Sequence, residues 1–187
     1  MSAAASFGGD ERVRLFCALR LPGETLDGLV AWQREALAKV PRIRPVPRDH
    51  LHVTLAFLGH RPAGELEAIV GALHEAAASA ERPRLVVRGY RETRSVGMLT
   101  CDDDDGRAAA LADDLRERLV ALGVYEHERR RWLPHVTVVR FRERPRLQPA
   151  LPALEPFVPS DAAAYLSRLR PGGAQYEVLE SVEVGGR

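Results

Sequence analysis

Apolar positions along the chain follow two rhythms, one suited to strands and one to helices. Val13 to Leu19 is a short run of strand-favouring residues closed by Pro22-Gly23, after which Leu26, Leu29, Val30, Leu37 and Val40 recur at helical spacing. A proline-rich joint, Pro41 to Pro47, leads to Leu51–Leu58, whose branched and aromatic content suits a buried strand. Leu66, Ile69, Val70, Leu73 and Ala77 keep to one face at steps of three and four, which predicts a helix over 63–79. Leu85–Tyr90 and Val96–Cys101 read as strands. A second amphipathic helix carries Ala108, Leu111, Ala112, Leu115, Leu119 and Leu122 and stops at Gly123. His135–Phe141 reads as a strand, and 162–169 with 175–184 read as a hairpin around Pro171-Gly172-Gly173. Neighbouring strand pairs favour antiparallel sheets with helices packed outside, an α+β fold. No glycine-rich phosphate loop occurs where a strand meets a helix, which withdraws support from nucleotide-binding α/β folds.

Within this pattern one signature occurs twice: Leu51-His52-Val53-Thr54-Leu55 and Pro134-His135-Val136-Thr137-Val138. Residues i and i+2 of a strand share a face, so each run presents an imidazole beside a hydroxyl. The copies lie nearly half the chain apart, each near its own amphipathic helix, the layout of two pseudo-symmetric lobes facing across a cleft. Imidazole's ordinary pKa of about 6.5 lets two histidines divide general acid and general base duty. Two threonine hydroxyls would donate to the non-bridging oxygens of a phosphoryl group. Five residues after each histidine the copies diverge. Arg140 offers a planar fork for phosphate oxygens, or begins a solvated strand face with Arg142, Arg144 and Arg146. Phe57 packs in the core on the plainer reading and stacks on a nucleobase on the other.

Charge alters this picture only locally. The 27 basic and 26 acidic residues leave a net charge of +1, which excludes a uniformly basic nucleic-acid coat. Yet Arg129, Arg130, Arg131, Arg140, Arg142, Arg144 and Arg146 bracket the second motif against Glu143 alone, a stretch able to attract an RNA backbone. Asp102 to Asp105 reads as a solvated turn whose last carboxylate favours the helix start, and no calcium-loop spacing accompanies it. His50, His60, His74 and His127 lack a threonine partner and read as surface or loop histidines. No recognised ligand spacing suggests a metal site. Cys17 and Cys101 read as small buried hydrophobes in a reducing compartment. With neither a signal-peptide pattern nor an apolar run of spanning length, a cytoplasmic protein is expected, with no membrane partner. Residues 1–10 are expected to be a disordered tail and 11–187 one bilobal domain.

The sequence resembles the two-histidine phosphoesterases, and within them the RNA 2′,3′-cyclic phosphodiesterases also described as 2′-5′ RNA ligases. The resemblance rests on Arg14-Leu15-Phe16, on Leu51 to Gly59 and Pro134 to Arg140 as the two motifs, and on Leu169 to Tyr176 as a closing hairpin. It implies two antiparallel sheets facing a central cleft and hydrolysis of terminal 2′,3′-cyclic phosphates to 2′-phosphates, without metal or cofactor. His52 would be the proton donor and His135 the proton acceptor, with Thr54, Thr137 and Arg140 on the phosphate and Phe57 on a base. The expected partners are RNA with cyclic-phosphate ends, tRNA fragments among them, or cyclic-phosphate nucleotides, met by a monomer. Two other readings stand beside it. A non-catalytic RNA-binding module is opposed by the intact histidines and threonines, and ATP-free 2′-5′ ligation, near thermoneutral, ranks as a side activity of the same site.

Overall fold

The computed structural model describes residue 8 and residues 11–128, 130–171 and 173–185. The expected tail over 1–10 therefore lies, Gly8 apart, outside the described residues, as does Arg129. The elements run β1 (Arg12–Arg20), α1 (Gly23–Ala36), β2 (Ile43–Pro45), β3 (His52–Pro62), α2 (Leu66–Ser79), β4 (Val86–Glu92), β5 (Val96–Asp102), α3 (Arg107–Ala121), β6 (His135–Phe141), β7 (Asp161–Arg170) and β8 (Gly173–Val182). Among the described residues, no helix is long and apolar enough to cross a membrane.

Local chemistry sets the element ends. Helix α3 starts after Gly106, held at φ 70, and Gly123 at φ 71 follows its end. Its first N–H groups go to the acidic run, though not mainly to its last member. Asp105 accepts from the Arg107 N–H, while both oxygens of Asp103 take the Ala108 and Ala109 N–H groups at 3.1 and 2.7 Å. The proline-rich joint contains a strand that periodicity does not show, because β2 is three residues long and ends in proline. It pairs with β6 through Ile43–Phe141, Arg44–Arg140 and Pro45–Val139.

All strand pairs are antiparallel, in the order β4-β5-β6-β3-β1-β7-β8, with β2 also on β6. The two expected sheets, β4-β5-β6-β2 and β3-β1-β7-β8, are joined by one register pair, Val53–Val136. Beyond it β3 and β6 part, and β2 takes up the vacated edge of β6. Alternation along β1 divides the molecule. Val13, Leu15, Cys17 and Leu19 join the main core with Leu29 and Trp32 of α1, Leu73 of α2 and Leu115 of α3. Phe16 and Ala18 point the other way and pack with Ala163, Tyr165 and Tyr176. One face of the sheet is thus closed by helices; the other carries a small aromatic cluster and the cleft. Cys17 and Cys101 are free thiols in the interior, where burial pushes each up to about 12.

Candidate active site

The one pair joining β3 to β6 is the residue that separates histidine from threonine in each motif. Val53 and Val136 are buried on the core side. Alternation therefore sends His52 and Thr54 of β3, and His135 and Thr137 of β6, to the opposite face, and all four are half-buried. Carrying the antiparallel register one residue either way sets His52 opposite Thr137 and Thr54 opposite His135. The single pair thus sets the two motifs side by side in inverted order.

Strict alternation would then bury the residue five after each histidine. Both strands avoid this with a bulge at the same place. Against β1, register runs from Ala18–Thr54 to Cys17–Ala56, so Leu55 is the extra residue. Against β5, it runs from Met98–Thr137 to Gly97–Val139, so Val138 is extra. After each bulge the faces exchange, and Phe57 and Arg140 return to the cleft side, both exposed. Phe57 is 46% exposed, with the Arg14 guanidinium 4.6 Å over its ring, so the core-packing reading of Phe57 is set aside.

Each motif imidazole is oriented in the same way. His52 Nδ1 lies 2.8 Å from the His50 carbonyl, and His135 Nδ1 lies 2.8 Å from the Leu133 carbonyl. A carbonyl can only accept, so each Nδ1 carries the proton and each Nε2 is left to accept or pass on another. Behind His52 stands an aromatic wall. Phe16 stacks on the imidazole at 4.9 Å and on Tyr165 at 4.7 Å with parallel planes, while Tyr176 meets His52 edge-on at 5.7 Å. Burial lowers the His52 pKa to about 4, and positive charge on His135, His50 and Arg140 pushes the same way against the His50 carbonyl bond.

A cavity of about 420 Å³ gathers His52, Thr54, Phe57, Thr137 and Arg140. His135 is outside its lining, yet close enough for its charge to bear on His52. The cavity also takes Arg14, Phe16, Arg44, His50 and Tyr176. His50 is thus not a surface histidine. It packs on the Tyr176 ring at 4.4 Å, and burial lowers its pKa. Its position two residues before His52 was the available signal. The others come from β1, β2 and β8, which no local motif connects. His60, His74 and His127 are exposed, as expected. Among the described residues, no three His, Cys, Asp or Glu side chains gather to hold a metal ion.

The arginine-rich stretch around the second motif does not act as one patch. Arg144 pairs at 3.1 Å with Glu92, whose side chain is 2% exposed and also accepts the Arg146 and Leu147 N–H groups. Arg130 and Arg131 lie in a separate hollow with Tyr125 and Glu128. Of the described arginines in the stretch, Arg140 alone lines the cleft.

Two mirrored His-x-Thr strands meeting over an arginine-bordered cleft define a two-histidine phosphoesterase. The model of the 2′-5′ RNA ligase superfamily matches residues 27–170, and the chain belongs to that family. It is 31% identical over 191 residues to an RNA 2′,3′-cyclic phosphodiesterase of Thermus thermophilus, a match covering 93% of this chain and 91% of that protein. Among solved structures, TT0787 of Thermus thermophilus aligns with a TM-score of 0.77 at 30% identity, over 92% of this chain and 98% of the other. LigT of E. coli complexed with phosphate aligns at 0.72 and 25% identity, over 92% and 97%.

Proposed function

We propose that this protein hydrolyses the terminal 2′,3′-cyclic phosphate of RNA to a 2′-phosphate by metal-independent acid/base catalysis. The observation that carries the reading is the mirrored pair of imidazoles, each with its Nδ1 proton held by a backbone carbonyl and its Nε2 left for proton transfer. The relative named RNA 2′,3′-cyclic phosphodiesterase and the LigT complex with phosphate support it. His135 Nε2 takes a proton from water as the water oxygen bonds to phosphorus. The P–O3′ bond breaks opposite it, and its electron pair leaves on O3′, which takes a proton from His52 Nε2. Thr54 and Thr137 donate to the non-bridging oxygens, and Arg140 offsets their charge.

His52 is neutral in the empty cleft at neutral pH, so as proton donor it charges when the anionic phosphate arrives between the two imidazoles and favours the protonated form. The buried ring that gives up this proton returns to its favoured neutral form as the alkoxide leaves. With an RNA 5′-hydroxyl in place of water, the same transfers form a 2′-5′ linkage, and water's abundance in an open cleft favours hydrolysis. The test is incubation with an RNA ending in 2′,3′-cyclic phosphate in the presence of a chelator. A 2′-phosphate product is expected. A 3′-phosphate product, or activity that disappears with EDTA and returns with a metal, overturns the scheme.

A further inference from the structure

The cleft does not end at Arg140. Arg44 and Arg140 also line a second cavity of about 600 Å³, completed by Arg42, Ile43, Phe141, Arg142 and Glu143. The two cavities share these arginines as a common wall, so the second is a trough leading out of the catalytic site along the paired strands β2 and β6.

Three features set this trough apart from an ordinary charged surface. Arg44 and Arg140 are register partners across β2 and β6. Like charges directly opposite one another on neighbouring strands cost stability, a cost an anion lying over both would offset. Arg42, which leads into β2, is held at φ 59, a left-handed conformation that non-glycine residues adopt at some cost and that tends to gather at ligand sites. Gly173 in the closing hairpin, at φ +127, brings its backbone beside the Arg44 guanidinium, whose atoms lie in ordinary contact range, 3.7–3.8 Å, of where a Cβ would stand. Glu143 is the one carboxylate in the lining, and among the described residues neither Arg42 nor Arg142 is engaged in an ion pair. Arg144, by contrast, is committed to Glu92.

We propose that the trough holds the phosphodiester 5′ to the terminal nucleoside, making the end of an RNA strand of two or more nucleotides the preferred substrate over a cyclic mononucleotide. The proposal rests on the phosphodiesterase reading for its ribose end group. The trough's own chemistry is the recognition of a second phosphate by guanidinium groups. Arg42 and Arg142 are then specificity-determining residues that touch the strand and not the reacting phosphorus.

The test compares the wild type with the Arg42→Ala/Arg142→Ala double variant on a cyclic mononucleotide and on a tetranucleotide bearing the same cyclic phosphate. Binding is followed separately by anisotropy of a labelled tetranucleotide ending in 2′-phosphate. The wild type should favour the tetranucleotide at least tenfold in kcat/KM. The double variant should lose about tenfold or more on it, in both turnover and binding, and change less than twofold on the mononucleotide. The salt dependence of tetranucleotide affinity should flatten by about 1.4 in log–log slope, for two contacts at about 0.7 each. Arg42→Gly removes the charge while suiting the left-handed backbone, so a loss shared by Arg42→Ala and Arg42→Gly is not a folding defect. Equal loss on both substrates, or arginine-independent binding of the tetranucleotide, overturns the trough. If the wild type cleaves neither substrate and still binds the tetranucleotide through these arginines, the phosphodiesterase reading fails and the trough stands.

Discussion

In β3 the histidine is followed by a valine on the core side, a threonine, a bulge at Leu55 and then Phe57; in β6 the same positions hold Val136, Thr137, a bulge at Val138 and Arg140. The backbones repeat down to the irregularity, and both histidines receive the same carbonyl partner two residues upstream. What differs is the finish. The first motif lies against the aromatic wall of Phe16, Tyr165 and Tyr176, and its fifth position is an aromatic ring. The second motif looks out on the arginines of β2 and β6. In the proposed scheme the duplicated geometry supplies two proton carriers for one phosphorus, and the burial that lowers the His52 pKa marks the first motif.

The largest effect tests the shared part. His52→Ala and His135→Ala should each lower kcat by about 10²–10⁴-fold with an unchanged far-UV circular dichroism spectrum, and the double variant should be little worse than either single one. A single variant retaining near-wild-type kcat breaks the two-histidine comparison.

The differing part comes next. Arg140→Ala removes charge from the phosphate and should lower kcat/KM by about 10–100-fold, corresponding to a charged hydrogen bond of about 1.5–3 kcal/mol. Phe57→Ala should act mainly on KM, by about tenfold, with kcat nearly kept, since base stacking is made equally in ground and transition states. If the two variants show the same pattern, the lobes do not divide phosphate and base between them.

Acidity sharpens the asymmetry further. Because burial lowers the His52 pKa to about 4, the acid limb of kcat/KM should fall near pH 4 and not near the ordinary imidazole value of 6.5. Phe16→Ala, which opens the wall against His52, should move that limb upward. The sign for stability follows from linkage. Between about pH 4 and 6.5 the unfolded chain binds the His52 proton and the folded chain resists it, so the contribution is complete above pH 6.5 and is lost as pH falls towards 4. Comparing unfolding midpoints of the wild type and His52→Gln across that window checks it.

Much of this was legible in the sequence because it is written in periods. All three helices and seven of the eight strands occupy their predicted segments, and the four motif residues share a face as strand alternation requires. What escaped was carried by irregularity or by distance along the chain. Strand β2 is too short to have a period. The bulges at Leu55 and Val138 overturn the alternation that would bury Phe57 and Arg140, and no residue type at those positions announces them. Arg14, Arg44 and Tyr176 reach the cleft from three strands that meet only in the folded sheet. The run of arginines after His135 looked like one patch because sequence records charge and not partners. Glu92, from the end of β4, takes Arg144 out of it.

The smallest effect concerns how each motif strand is secured where β3 and β6 part. On β3, two side chains supply the donors that β6 would have given. Trp132 Nε1 donates to the Thr54 carbonyl at 2.9 Å, and Arg116 Nε to the Leu55 carbonyl at 2.8 Å. On β6, backbone and side chain act together. The Val46 N–H reaches the Val138 carbonyl at 3.0 Å, and buried Gln33 Nε2 donates to both Val138 and Val46 carbonyls at 2.7 and 3.0 Å. Trp132→Phe keeps most of the packing but leaves the Thr54 carbonyl without that donor, a loss of about 1–3 kcal/mol for a buried acceptor. Gln33→Leu deletes two bonds, yet Val138 keeps its backbone partner, so about 1 kcal/mol is expected despite the larger number removed. Chemical unfolding ranks the two. Trp132→Phe should also slow turnover severalfold because Thr54 follows its own carbonyl, whereas Gln33→Leu should leave kcat near wild type. The reverse order would place the weaker anchorage on β6 and make the first motif the more rigid half of the site.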